Sequence, residues 1–202
     1  MRRKLPAASI LSMLALLAAC SGGKPSNDEI LKQLASLKLD EPACATGMFE
    51  QLPVTLGAQG APGEGNAKAF DALVKVGLLS KDGMTYSLTE AGKSAYKPNY
   101  KGFCYSDGFN VQIKDVSDLS KDDYGPAVEK GWLVTFELTP RNLQDWVKSP
   151  EMLATASLTS LEKVTAPQIE RVNLLKVRGE DGYKLSAPWL SIDRGIYFSR
   201  GW

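Results

Sequence analysis

Trp132-Leu133-Val134-Thr135-Phe136-Glu137-Leu138 sets a large apolar side chain at every second position. That period belongs to a strand with one buried face, here an aromatic one. Phe109, Val111 and Ile113 alternate in the same way with Asn110, Gln112 and Lys114. Between the two runs, Asp115 to Lys130 reads as a polar connection, and Pro140 stops the second strand. Downstream, Gln168 to Arg178 reads as a long strand, Gly179-Glu180-Asp181-Gly182 as a turn and Tyr183-Lys184-Leu185-Ser186 as the returning strand. Ile196-Tyr197-Phe198 adds a last short strand. Arg141 to Lys148 is expected as a short helix. Ser149-Pro150-Glu151 is a cap with proline at the first helical position, leading into Met152, Leu153 and Ala156. The expected fold class is α+β: an antiparallel sheet with helices packed on one side.

The first half is more helical. Ser26 and Glu29 form a capping box for an amphipathic helix from Asn27 to about Lys38, with Ile30, Leu31, Leu34 and Leu37 at helical spacing. Asn66 is expected to cap a second helix carrying Phe70, Leu73, Val74 and Leu78, with Gly77 as its stop. Lys81-Asp82-Gly83 lies between apolar runs and predicts a hairpin, and Thr89 opens another short helix. The helix and hairpin over 66–96 resemble the helix-and-wing half of a winged-helix domain. The expected organisation is a signal at 1–19, a tether at 20–26, a helical, winged-helix-like module at 27–100 and an antiparallel α+β module at 101–202.

Composition excludes several kinds of chemistry. The 202 residues contain no histidine, which removes Ser-His-Asp and Cys-His catalysis and imidazole metal ligands. There are 24 basic and 23 acidic residues, and without Arg2, Arg3 and Lys4 the balance is 21 to 23, a charge of −2. Such a chain lacks the cationic face that nucleic-acid binding requires. Gly60 to Gly65 has the spacing of a phosphate loop, but Asn66-Ala67 stands where lysine and a hydroxyl residue are needed, so a surface loop is expected. Asp118, Asp122 and Asp123 do not fit the EF-hand template. No cofactor and no metal is expected.

Arg2-Arg3-Lys4, the apolar run Ile10 to Leu17 and the small residues before Cys20 have the layout of a secretory signal. The run is shorter than the roughly 20 apolar residues of a membrane span. Leu17-Ala18-Ala19-Cys20 resembles the bacterial lipobox. That resemblance implies cleavage before Cys20, acylation of Cys20 and attachment to the bilayer through its acyl chains. Ser21 after the cysteine resembles the outer-membrane sorting signal of Gram-negative lipoproteins, implying a protein that faces the periplasm. Ser21 to Ser26 then reads as a flexible tether. With Cys20 acylated, Cys44 and Cys104 remain, and two thiols in an oxidising compartment are expected to form a disulfide.

Three pieces occur in one order: Phe70-Asp71-Ala72-Leu73 through the Leu88-Thr89-Glu90-Ala91-Gly92 hairpin, Gly102-Phe103-Cys104-Tyr105, and Trp132 through Trp146-Val147-Lys148-Ser149-Pro150-Glu151. Together they resemble the small periplasmic proteins of the CpmK-like, carbapenem-intrinsic-resistance type. The resemblance implies a two-part secreted protein without an established catalytic site. The tail after Leu185, with Trp189, Tyr197 and Trp202, departs from that pattern.

The expectation is therefore a non-catalytic envelope lipoprotein that binds an envelope protein, a cell-wall component or a small ligand. Tyr105, Trp132, Arg141 and Trp146 are the candidate lining of a binding surface between sheet and helix, although core packing is the simpler role for Trp132. The contrasting expectations are a histidine-independent enzyme drawing its acids from Asp107, Asp115, Asp118, Asp122, Asp123 or Glu137 and, as the family resemblance implies, a cell-envelope stress or antibiotic-protection protein.

Overall fold

A computed structural model describes residues 23–47, 49–155, 165–186, 190, 192 and 195–197. The signal and Cys20 lie outside the described residues, as do Ala156, Trp189, Phe198 and Trp202. The fold is mixed α+β and mostly strand, with three small, largely antiparallel sheets.

The longest sheet follows directly from the alternating runs. Strand β7 (Phe109–Asp118) pairs with β8 (Val128–Pro140), β8 with β9 (Gln168–Val177), and β9 with β10 (Lys184–Ser186), all antiparallel. Trp132, Val134, Phe136 and Leu138 are all buried, while Leu133, Thr135 and Glu137 are half-buried on the other face. Strand β7 runs further than its alternation indicates. Its register shifts at Lys114, after Ile113 opposite Phe136 and before Asp115 opposite Thr135. That bulge returns Val116 to the face of Ile113, so Asp115 and Asp118 belong to the strand and the connection to β8 is shorter than Asp115 to Lys130.

A second sheet interleaves both halves of the chain in the order β11-β1-β6-β5. Strand β1 (Ala43–Thr46) lies antiparallel to β6 (Gly102–Ser106) and parallel to β11 (Gly195–Tyr197), and β5 (Tyr96–Lys97) closes the far edge. The third sheet joins β2 (Val54–Thr55) to the hairpin of β3 (Leu79–Asp82) and β4 (Thr85–Leu88). Asp82 pairs with Thr85, so the turn is made by Gly83-Met84, one residue later than the Asp-Gly pair suggests.

Helix α1 (Asn27–Leu34) starts on the expected capping box, with the Ser26 hydroxyl and the Glu29 carboxylate bonding each other's backbone N–H. It continues as a 3-10 turn, Ala35–Leu37. Helix α2 (Ala67–Lys75) ends in a paired C-cap: Gly77 N–H donates to the Val74 carbonyl and Leu78 N–H to the Leu73 carbonyl, with Gly77 at φ +79°. The Asn66 side chain does not cap α2. It is buried and donates back to the Gly63 carbonyl. Helix α3 (Glu90–Ala95) is capped by Thr89, whose hydroxyl accepts from Gly92 N–H. After Pro140, a 3-10 turn (Asp145–Lys148) replaces the expected helix, and the short α4 (Pro150–Leu153) is capped by Ser149.

One core joins these parts. Tyr96, Phe103, Phe49, Phe70 and Tyr86 form a continuous series of ring contacts, with centroids 5.0–5.4 Å apart. It runs from β5 and β6 through α2 to the hairpin, and each such pair contributes roughly 0.5–1.5 kcal/mol beyond its buried area.

Candidate functional site

A cleft of about 700 Å³ opens between the helix–hairpin part and the β1–β6 sheet. Strand period two builds its floor: Phe103 and Tyr105 are wholly buried, whereas Cys104 and Ser106, one step out of phase, line the cleft. Cys44 and Cys104 are joined as a disulfide, and they are direct cross-strand partners in the β1–β6 register. Val76, Leu78, Ala91 and Ala95 supply an apolar wall from the end of α2 and from α3. Tyr100 and Trp146 supply aromatic edges, and Lys97 one cation.

Two carboxylates of the lining, Asp40 and Asp107, are both bonded to the loop that follows β8. Asp40 follows α1 in sequence and Asp107 precedes β7, and both line the cleft. The Arg141 guanidinium donates from one nitrogen to Asp40 Oδ1 at 3.2 Å and to the Asp107 carbonyl at 2.8 Å. Asn142 Nδ2 donates to Asp107 Oδ2 at 2.8 Å. Ser106 Oγ donates to the Gly108 carbonyl at 2.6 Å and lies 3.0 Å from that of Arg141, binding the two loops together. Gly108 is required here: its φ is +114°, and a Cβ would sit 2.5 Å from the Leu39 carbonyl oxygen.

Of the four candidate lining residues, Trp146 lines the cleft, Tyr105 is buried behind it, and Arg141 bonds two residues of the lining. Trp146 stands edge-on to Tyr105, ring centroids 6.1 Å apart. Trp132 lies elsewhere, eight residues along β8 from Pro140, or roughly 26 Å at strand rise. There it is buried against Tyr183, with Lys130 over its ring, and serves the core.

Among the candidate acids only Asp107 lines the cleft. Glu137 is on the outer face of β8, 3.2 Å from Lys114, and Asp118 is paired with Lys130. Asp123 caps a 3-10 turn by accepting from Ser120 N–H. Asp40, Gln144, Tyr100 and Lys97 carry no motif that marks them. Asp40 and Arg141 meet across 101 positions of sequence, a separation no local pattern encodes.

A second polar cluster lies in the hairpin. Asp71 Oδ1 accepts from Lys81 Nζ and from Tyr86 OH, both at 2.8 Å. The Lys81 hydrogen bond holds the Asp71 carboxyl below its ordinary range, and the same bond raises Lys81. Burial raises Tyr86. All three are on α2 and the hairpin it packs against, so the cluster fastens the helix to the sheet.

No family model, curated protein or solved structure matches the chain.

Proposed function

We propose that the chain is a lipid-anchored periplasmic protein of the cell envelope that binds a ligand or partner in the Cys104–Trp146 cleft without chemical turnover. The observation that carries the binding reading is the cleft's construction: an apolar wall and two aromatic edges beside the polar side chains of Asp40, Lys97 and Asp107. Such a mixture suits recognition, with the apolar part supplying affinity and the polar groups orientation. The Cys44–Cys104 disulfide agrees with an oxidising compartment. Among the described residues no helix is long and apolar enough to cross a membrane, so the attachment in this proposal is the acyl chains on Cys20. The winged-helix-like helix and hairpin serve as scaffold, forming one cleft wall rather than a nucleic-acid reader.

The alternative is a carboxylate enzyme using Asp40 and Asp107. Against it, Asp40 and Asp107 already accept hydrogen bonds from Arg141 and Asn142, and the chain has no histidine. Photo-crosslinking from position Ala91, on the cleft wall, in intact cells tests the binding reading. A discrete adduct that is lost on introducing Trp146→Ala supports it. No adduct, or one indifferent to Trp146→Ala, overturns it. Labelling with a palmitate analogue tests the anchor, and Cys20→Ser must abolish the label.

A further inference from the structure

Residues 24–26, expected as tether, are docked on the fold. Lys24 Nζ donates to the Val116 carbonyl at 2.7 Å, Pro25 is buried, and Ser26 caps α1. Val116 is near the far end of β7, seven residues from Phe109, which is roughly 24 Å of strand. At the other end of α1 and its 3-10 turn, the Leu39 carbonyl accepts from Phe109 N–H at 2.8 Å. Helix α1 therefore runs over the β7–β10 sheet and touches β10, with the residues before it tied to Val116 and the residues after it tied to Phe109. The eight α-helical and three 3-10 residues span roughly 18 Å. Asp40, three residues after the 3-10 turn, lines the cleft together with Asp107. Chain entry and cleft are thus at opposite ends of one strut.

Four positions separate Cys20 from Lys24, so their Cα atoms are at most about 14 Å apart. We infer that the Val116 end of β7, with the adjoining Leu119–Ala127 connection, is the lipid-facing end of the anchored protein. Helix α1, with its flanking residues tied to the two ends of β7, then holds the cleft at the end of the sheet away from the bilayer. The occupant of the cleft is accordingly a water-borne or cell-wall component reaching it from the periplasmic side, not a bilayer lipid. This inference rests on the acylation of Cys20 proposed above.

The test uses the full acylated chain in phosphatidylethanolamine–phosphatidylglycerol vesicles that carry an acceptor fluorophore on the lipid headgroup. A donor is attached at Asp122→Cys, on the exposed connection, or at Asp145→Cys, exposed beside the cleft. Energy transfer from position 122 should exceed that from position 145 by about twofold or more, given the roughly 24 Å of strand between the two ends. A ten-residue glycine–serine insertion between Cys20 and Gly23 should erase the difference, because it frees the body to turn. Equal transfer in the uninserted chain, or greater transfer from position 145, overturns the orientation. Failure of the chain to float with vesicles overturns the anchor, and the orientation with it.

Discussion

Cys44 and Cys104 face each other directly across β1 and β6, with Cα atoms 3.8 Å apart and their sulfurs joined. They close a loop of 60 positions that contains α2, α3 and the hairpin. The bond lies in the cleft floor, so it ties the cleft wall to the sheet that carries it.

Replacing both cysteines, as Cys44→Ser with Cys104→Ser, should lower stability by about 4 kcal/mol, the loop-closure entropy for a loop of this length. The measurement is urea unfolding of both proteins with and without reductant. Reductant should bring the parent chain to the stability of the double variant and leave the variant unchanged. A parent indifferent to complete reduction would remove the staple from the account of stability.

Gly108 is the second fixed point of the cleft, and here strain and crowding act together. Gly108→Ala must adopt φ +114° and place a Cβ within 3.0 Å of Asp40 backbone atoms as well as against the Leu39 carbonyl. It should destabilise the fold by about 2 kcal/mol or more. Gly125→Ala is the control, since a Cβ there meets nothing within 4 Å and its φ lies outside the left-handed range. Its urea midpoint should match the parent's. Equal midpoints for the two variants would contradict the close approach of β7 to the end of α1.

How much of this was readable from sequence depends on range. The β8 and β9 strands, the capping box at Ser26, the Thr89 and Ser149 caps and the Gly77 stop are written within a few residues, and all are present. Strand β7 reads short because the bulge at Lys114 breaks the alternation that marks a strand, although pairing continues to Asp118. Asn66 has a capping residue type, yet its amide turns to Gly63 because the approach to α2 is itself a 3-10 turn. The cleft was legible only in part. Tyr105, Arg141 and Trp146 stand out by type, while Asp40 gains its place from a partner 101 positions away. Trp132 has the same residue type as Trp146, and only the fold separates core from cleft.

The Asp71–Lys81–Tyr86 cluster predicts a pH dependence with opposite signs at the two limits. Asp71 is depressed in the folded state, so its contribution is complete above the ordinary value of 3.8 and is lost as pH falls through the folded value. Lys81 and Tyr86 are raised, so theirs are complete below 10.5 and 10.0 and decline as pH rises beyond. Asp71→Asn should therefore lower stability at neutral pH and flatten the acid limb of the stability curve. Urea midpoints from pH 2 to pH 7 give the comparison. An acid limb unchanged by the substitution would assign the acid loss to other carboxylates.

The cap of α1 offers a test that joins stability to the strut. The Ser26 hydroxyl accepts from Glu29 N–H while Glu29 accepts from Ser26, and the Ser26 backbone bond, with the hydroxyl bond next, holds the Glu29 carboxyl below its ordinary value of 4.5. Ser26→Ala should cost about 1 kcal/mol, the usual worth of a side-chain N-cap. Glu29→Gln keeps an acceptor and should cost less. Because Glu29 is depressed in the folded state, its share is present above pH 4.5 and lost as pH falls through the folded value, so Glu29→Gln should converge on the parent in acid while Ser26→Ala, which also lacks the cap bond from Glu29 N–H, stays less stable. Amide hydrogen exchange locates the effect: Ser26→Ala should speed exchange at the start of α1 and leave β8 protected, since β8 draws its burial from Trp132, Val134, Phe136 and Leu138 instead. Uniform acceleration across β8 would mean that α1 and the sheet open as one unit, and the strut would then have no stability of its own to lose.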